Sequence, residues 1–290
     1  MKRTDIPADV PKEMEDIFIQ NYAAITKNTE NLFLFVGDHK IEHLNKDFYG
    51  ESIAPEVNDP EHLFKIASQG DIGAFSTQLG LIARYIKKYP DINYIAKLNA
   101  KTDIIPKDAK DPLSKRIWKV DHVVAFREKY GHNIAGVGYT VYIGSEYENK
   151  MLKKAAEIVT EAHKNGLVAI LWMYPRGKHV KNEYDPDIIA GAAGVAACLG
   201  ADFAKINPPR DASGKQNPEL LQQAVQAAGN TKLICSGGPK MPKEEFLKNI
   251  KDQMNIGGTH GIAAGRNIFQ QPLAQAIELT KTVSELVYKK

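Results

Sequence analysis

The stretch "AGVGYTVYIGSEYENKMLKKAAEIVTEAHKNGLVAILWMYP", residues 135–175, decides the fold. It opens on a largely apolar run (135–144) and closes on another, "VAILWMYP" (168–175). Continuous apolar runs of this length suit strands covered on both faces, the usual state of a parallel sheet. Between them, 146–166 places apolar residues at helical spacing, with Ser145 positioned to cap the start and Gly166 to stop the end. Two parallel strands joined by an amphipathic helix form one βαβ unit.

The alternation continues in both directions. Six more runs read as buried strands: "LFLFVGD" (32–38), "IGAFSTQ" (72–78), "YIAKLN" (94–99), "FAKIN" (203–207), "KLICSGG" (232–238) and "GIAAGR" (261–266). Helical patterns separate them, among them "PEHLFKIASQG", which stops at a glycine, and "GLIARYIKKYP", which stops at a proline. Eight strand–helix units in 290 residues predict a single α/β domain, a (β/α)8 TIM barrel over 1–290, with about 1–30 as an N-terminal helical extension. That extra helix closes the bottom of the barrel or packs beside it. A doubly wound open sheet is the alternative. Residues 100–118 form the longest irregular stretch, on the catalytic face of such a barrel, either as a lid or as a solvated insertion.

Composition narrows the partners. The net charge of +3 is spread along the chain, and no basic block interleaves with aromatics, so no nucleic-acid partner is expected. The start, "MKRTDIPADVPKEMEDIF", is charged and proline-broken, and no later run reaches membrane-spanning length. The expectation is a cytoplasmic protein with no membrane partner. Cys198 and Cys235 both lie in apolar contexts and read as two buried, reduced thiols.

In a (β/α)8 barrel functional groups collect at the C-terminal ends of the strands. Asp38, His39 and His43 follow the first run; Lys97 and Asn99 end the third; Tyr142 and Ser145 end the fourth. Trp172, Tyr174 and Arg176 end the fifth, Lys205 the sixth, Ser236, Gly237, Gly238 and Lys240 the seventh, and Gly265 and Arg266 the eighth. "SGGPK" and "GR" after the last two strands offer glycines that let a phosphate approach the backbone, and Arg266 adds a charged fork. Lys205 stands in an apolar strand, where burial disfavours the ammonium form. Two readings stay open from the residues alone: a neutral amine that forms an imine with a ketone, or a structural lysine paired with a carboxylate such as Asp38. Tyr174 could move a proton with help from a cation such as Lys205 or Arg176. His39 and His43, four apart, raise a metal question, but no third ligand with clear spacing follows, and no metal or other cofactor is expected. His39 is expected to brace Asp38 and His43 to touch substrate.

Taken together, "GDHKIEH" (37–43), "AKLNAKT" (96–102), "VGYTVYIGSEYE" (137–148), "LWMYPRG" (171–177), "LGADFAKI" (199–206), "SGGPK" (236–240) and "AAGRNIFQ" (263–270) resemble the archaeal-type class I fructose-1,6-bisphosphate aldolases, the DhnA branch of the DeoC/LacD aldolase group. The resemblance implies a metal-independent enzyme that reversibly splits fructose 1,6-bisphosphate into glycerone phosphate and glyceraldehyde 3-phosphate. It implies Lys205 as the imine lysine, Tyr174 as acid/base and Asp38 as an aid to carbinolamine and imine formation. It also implies Trp172, His43, His39 and Arg176 against the substrate, and Ser236, Gly237, Gly238, Gly265 and Arg266 around a phosphate. The implied assembly is a ring-based homo-oligomer, up to a decamer. Three places depart from the family pattern: Lys40, where glycine is common; "LNKD" (44–47), in place of a glycine-proline turn; and "NPPRD" (207–211), in place of a tyrosine-threonine-glycine loop. "MYPRGKH" (173–179) also resembles the aminodideoxyheptulosonate synthases, and "YIGSEYE" (142–148) the thiolases of the phosphorylated autoinducer-2 signal. A non-catalytic phosphosugar-binding barrel is the third reading.

Overall fold

The computed structural model describes residues 5–106, 110–130 and 133–289. Residues 1–4 of the expected N-terminal extension and 107–109 of the 100–118 segment lie outside the described residues. Eight parallel strands close into a barrel: β1 (Leu32–Val36), β2 (Ala74–Gln78), β3 (Tyr94–Lys97), β6 (Ile134–Ile143), β7 (Val168–Pro175), β8 (Phe203–Ile206), β9 (Lys232–Ser236) and β10 (Gly261–Ala264). Around the barrel the order is β1-β10-β9-β8-β7-β6-β3-β2, and all eight lie within the runs read from sequence to within a residue. Two further strands, β4 (Asn99–Ala100) and β5 (Lys115–Arg116), pair antiparallel outside the barrel. They show that the 100–118 segment is tied down at both ends rather than irregular throughout.

Helices α1 (Glu15–Thr26), α2 (His39–Glu42), α3 (Glu61–Gln69), α4 (Leu79–Tyr85), α5 (Val120–Tyr130), α6 (Glu148–His163), α7 (Pro186–Cys198), α8 (Leu221–Ala228), α9 (Lys243–Asn255), α10 (Arg266–Phe269) and α11 (Leu273–Tyr288) complete the chain. No described helix is long and apolar enough to cross a membrane. Strand side chains alternate between two cores. Phe33 and Phe35 of β1 and Leu171 and Met173 of β7 pack outward under the helices, whereas Leu32, Leu34, Val168, Ile170, Phe203 and Ile234 fill the barrel.

The N-terminal helix closes the bottom. Phe18, Tyr22 and Ile25 of α1 join the interior cluster, and the Tyr22 ring stacks on Phe203 at 5.5 Å. Each such buried side chain stabilises the plug by about 2 kcal/mol. Below the barrel, His163 is fully buried between Asp9 at 2.8 Å and Asp202 at 3.2 Å, which ties the N-terminal segment to the end of α6.

Two local expectations need correction. Ser145 does not cap α6: its hydroxyl donates to the Pro112 carbonyl at 2.8 Å and so anchors the 100–118 segment, while Glu148 accepts from the Gly144 N–H at 2.6 Å. Cys198 is exposed, at the last position of a helix rich in small residues; Cys235 is buried as expected. Gly237 uses its backbone N–H inside the barrel, donating to Ala263 O at 2.9 Å.

Candidate active site

The interior face of each strand continues into the mouth with period two. Lys205 follows Phe203 on β8, Lys97 follows Ile95 on β3, and Trp172 and Tyr174 follow Ile170 on β7. The parallel register sets Trp172 beside Lys205. Lys205 Nζ lies 5.5 Å from the Trp172 ring centroid and 5.9 Å from that of Tyr174. Gly138 makes room for this wall, because a Cβ there would fall 2.5 Å from the Trp172 ring.

Lys205 is 4 % exposed, and among the described residues no carboxylate oxygen lies within 4.0 Å of its amine. The carboxylate expected to pair with it, Asp38, has another partner: Lys97 Nζ sits 3.7 Å from Asp38 Oδ2 and 3.9 Å from Glu42 Oε1. Lys97 is fully buried and also donates to Asn99 O at 3.1 Å and Asn99 Oδ1 at 3.3 Å. Asn99 in turn is locked by the Thr140 backbone at 2.8 Å and 2.9 Å.

These placements set the protonation states. Burial pushes the Lys205 amine down to about 8; Asp38 and Glu42 oppose that shift, and Lys97 and Arg266 add to it. Burial would raise Asp38, but Lys97, His39 and Lys205 outweigh it and hold the carboxyl below its ordinary value. Burial raises Glu42, against the pull of Lys97. Burial, with Asp38 and Glu42 nearby, drives Tyr174 well above the ordinary phenol value. Tyr174 is thus a protonated donor at neutral pH. The expected cation help is present, since the Arg176 guanidinium lies 5.8 Å from the Tyr174 ring and 5.4 Å from that of Tyr142, but its lowering pull on the phenol is outweighed by burial and by Asp38 and Glu42.

The remaining residues divide by position. His39 is held neutral, its value pushed to about 3 by burial, with Nδ1 at 3.7 Å from Asp38 Oδ1. His43 turns both ring nitrogens to carboxylates, Nδ1 to Asp47 at 2.5 Å and Nε2 to Asp103 at 3.5 Å, rather than to a ligand shared with His39. Asp47 also reaches Arg266 at 3.9 Å. At the far side, Gly238 takes a left-handed φ of 68°, and a Cβ on Gly265 would fall 2.5 Å from His39 Cε1. Only glycine fits there. Ser236 donates to Asn207 Oδ1 at 2.9 Å, which couples the phosphate-type loop to "NPPRD". The N–H groups of Gly238 and Gly265 engage no group among the described residues, whereas that of Gly237 is already used.

The structure therefore gathers Lys205, Tyr174, Trp172, Asp38 and His39 around one mouth, with His43, Arg176 and the two glycine loops on its rim. Lys97 and Glu42 belong to it as well. Lys97 was legible as an inward strand residue two after Ile95; Glu42 sits one helical turn after Asp38, on a four-residue helix too short to show a period.

Comparison with known proteins agrees. The profile described as DeoC/LacD family aldolase matches residues 32–271. The chain is 51% identical over 286 residues to the "Fructose-bisphosphate aldolase/6-deoxy-5-ketofructose 1-phosphate synthase" of Methanocaldococcus jannaschii, covering 98% of this chain and 90% of that one. Its structure superposes with a TM-score of 0.95 on the fructose-bisphosphate aldolase from Slackia heliotrinireducens, at 47% identity, covering 99% of this chain and 91% of that one. An archaeal fructose-1,6-bisphosphate aldolase, solved "with the catalytic Lys covalently bound to the carbinolamine intermediate of the substrate", gives a TM-score of 0.80 at 32% identity, covering 93% of this chain and 99% of that one. The chain belongs to the DeoC/LacD aldolase family, beside the archaeal-type class I fructose-1,6-bisphosphate aldolases whose motifs it carries.

Proposed function

We propose that the protein is a Schiff-base aldolase that reversibly cleaves fructose 1,6-bisphosphate to glycerone phosphate and glyceraldehyde 3-phosphate. The observation that carries this reading is the buried amine of Lys205, shifted toward neutrality and lacking a carboxylate partner among the described residues. In cleavage, neutral Lys205 attacks the C2 ketone to give a carbinolamine. Tyr174, held as a phenol, supplies the proton with which the carbinolamine hydroxyl leaves as water. The iminium cation forms beside anionic Asp38, which stabilises it electrostatically. The tyrosinate then takes the C4 hydroxyl proton, the C3–C4 bond breaks, and its electrons flow into the iminium to give an enamine. Protonation at C3 and hydrolysis release glycerone phosphate and restore the amine.

Gly238, Gly265, Arg266 and Ser236 would hold the phosphate on the ketone side, with Gly237 contributing close packing against Ala264 rather than a donor. Trp172 would wall the carbon chain, and His39 would keep Asp38 in place. His43 would reach substrate from the rim. Replacing Lys205 by Met, which fits the same slot, should abolish release of triose phosphates from the bisphosphate while preserving the fold. Retained cleavage in that variant refutes the assignment.

A second reading is favoured by the double name of the 51% identical relative: the chain also acts as a 6-deoxy-5-ketofructose 1-phosphate synthase. The same enamine can attack a different aldehyde, so product analysis with alternative acceptors separates it from simple cleavage and from the synthase and thiolase resemblances above. We also propose a cytoplasmic, ring-based homo-oligomer of up to ten subunits, consistent with the outward-facing Tyr49, Ile104 and Ile105. Light scattering that returns a monomer mass contradicts the assembly.

A further inference from the structure

The cleavage steps above leave one transfer without a donor: the proton that C3 of the enamine receives before glycerone phosphate leaves. Most groups around Lys205 cannot supply it. Asp38 is an anion beside Lys97. His39 is buried and neutral, packed against Phe269. Lys97 turns its ammonium to Asp38 and to both oxygens of Asn99. Arg266 keeps its protons at any working pH. Tyr174 leaves the cleavage step as a phenol held well above its ordinary value, and so as a weak acid.

Glu42 differs from all of these. It stands four residues after Asp38, so the two carboxyls leave α2 on one face. They share one ammonium, since Lys97 Nζ lies 3.7 Å from Asp38 Oδ2 and 3.9 Å from Glu42 Oε1. Two carboxylates beside a single cation resist ionising together. The Asp38 side chain is 6% exposed and that of Glu42 18%, so Glu42 is the one that opens on the mouth. Burial raises Glu42, Lys97 opposes that and Asp38 adds to it, whereas Asp38 itself is lowered. Surroundings that drive two neighbouring carboxyls apart mark one as the anion and the other as the acid. The Glu42 side chain accepts no hydrogen bond among the described residues, yet its backbone is pinned, with the Asp103 N–H donating to Glu42 O at 2.8 Å.

Its place in the barrel brings that carboxyl to the reacting carbon. In a closed ring of eight, each strand faces its fourth neighbour, and the strand order sets β1 opposite β7. Asp38 and Glu42 follow β1; Trp172 and Tyr174 end β7, and Lys205 stands beside them on β8. Lys97, which Glu42 approaches, lies 5.2 Å from the same Trp172 ring that Lys205 borders at 5.5 Å. A ketone bonded to Lys205 therefore has Tyr174 on one side and the Asp38–Glu42 face on the other. Resting on the aldolase reading, we propose that Glu42 is the acid that delivers the proton to C3 of the enamine. The carboxyl O–H bond breaks, the enamine electron pair forms the C3–H bond, and the nitrogen becomes an iminium again. Water then adds at C2, the ketone and the neutral amine separate, and the proton released by hydrolysis returns to the Glu42 carboxylate. In the direction of synthesis the same carboxylate removes that hydrogen from the glycerone phosphate iminium, whichever aldehyde follows.

The test is exchange of a hydroxymethyl hydrogen of glycerone phosphate in heavy water, followed by proton NMR. That carbon is C3 of the hexose, so exchange needs the imine and the C3 acid but no aldehyde. The full-length protein is compared with Glu42→Gln, which keeps the side-chain shape and removes the acid, and with Tyr174→Phe. Exchange is expressed per imine trapped by borohydride on Lys205, and a thermal melt is read on the same samples. In Glu42→Gln we expect this ratio to fall by about 10²–10⁴-fold, with trapping and melt unchanged. Fructose 1,6-bisphosphate should then release one burst of glyceraldehyde 3-phosphate and stall. A natural ratio in Glu42→Gln overturns the proposal, as does a loss of exchange fully matched by a loss of trapping, because Glu42 would then act before the enamine. Exchange lost in Tyr174→Phe but kept in Glu42→Gln assigns the proton to Tyr174 instead. In each of these cases the imine trapped in the natural protein leaves the aldolase reading standing. A natural protein that neither traps nor exchanges overturns both.

Discussion

Replacing Lys97 by Met should move the active amine without touching it. Lys97 and Lys205 both lie within 5.5 Å of the Trp172 ring centroid, so their ammonium groups are no more than about 11 Å apart. At an effective dielectric near 20 that repulsion is worth at least about 1.5 kcal/mol, or about one pKa unit. Removing it lets the Lys205 value climb from about 8 to about 9. Asp38, freed of Lys97 at 3.7 Å, then presses it further upward. With the natural value, about one Lys205 in ten is neutral at pH 7, against about one in 3,000 for an ordinary lysine. The variant should have about one in a hundred, and imine formation at pH 7 should slow about tenfold. The straight apolar chain of Met keeps the buried slot filled. The assay is the rate of imine formation with glycerone phosphate, trapped by borohydride, across pH 6 to 10. The variant's profile should be displaced upward by about one unit and converge with the natural one above about pH 9.5. If the midpoint does not move, Lys97 does not tune Lys205, and the electrostatic account of the site is wrong.

Other outcomes follow from the same geometry. Tyr174→Phe should still allow slow imine trapping but lower turnover by about 10²–10⁴, the scale of a lost acid–base group; full-rate cleavage refutes its role. Gly265→Ala should cost about 1–3 kcal/mol and raise KM, because the new Cβ collides with His39 and Val36 O; a thermal melt and kinetics equal to the natural protein contradict this. At His163, burial alone would depress the imidazole, but Asp202 and Asp9 outweigh it and raise the value above 6.5. The resulting stability is fully present below about pH 6.5 and is lost as pH rises through the folded value. The melting-temperature gap between the natural protein and His163→Gln should therefore narrow from pH 6 to pH 9; a constant gap refutes the pairing.

The barrel was legible because parallel strands buried on both faces leave an unmistakable trace: "VAILWMYP" became β7 residue for residue. Lys205 and Tyr174 read from sequence as strand-end residues, and in the structure the two-residue alternation carries both onto the interior face. What stayed hidden depends on neighbours distant in sequence. Asp38 and Glu42 each directly precede a histidine in "GDHKIEH", and nothing in that stretch shows that Asp38 pairs with Lys97 rather than Lys205. Tyr174 reads as a phenol that needs a cation, but the carboxylates of Asp38 and Glu42 decide its state. Two-residue strands such as β4 and β5 carry no periodicity. The engagement of the Gly237 N–H is a matter of register between β9 and β10, which no local pattern encodes.

The central claim is that the Lys205 amine bonds covalently to a ketone. Incubation with glycerone phosphate and borohydride, followed by peptide mass analysis, measures this directly. The account predicts a single reduced adduct on the peptide containing Lys205, absent in Lys205→Met. An unmodified Lys205 in protein that is turning over substrate, or an adduct on Lys97 instead, contradicts it.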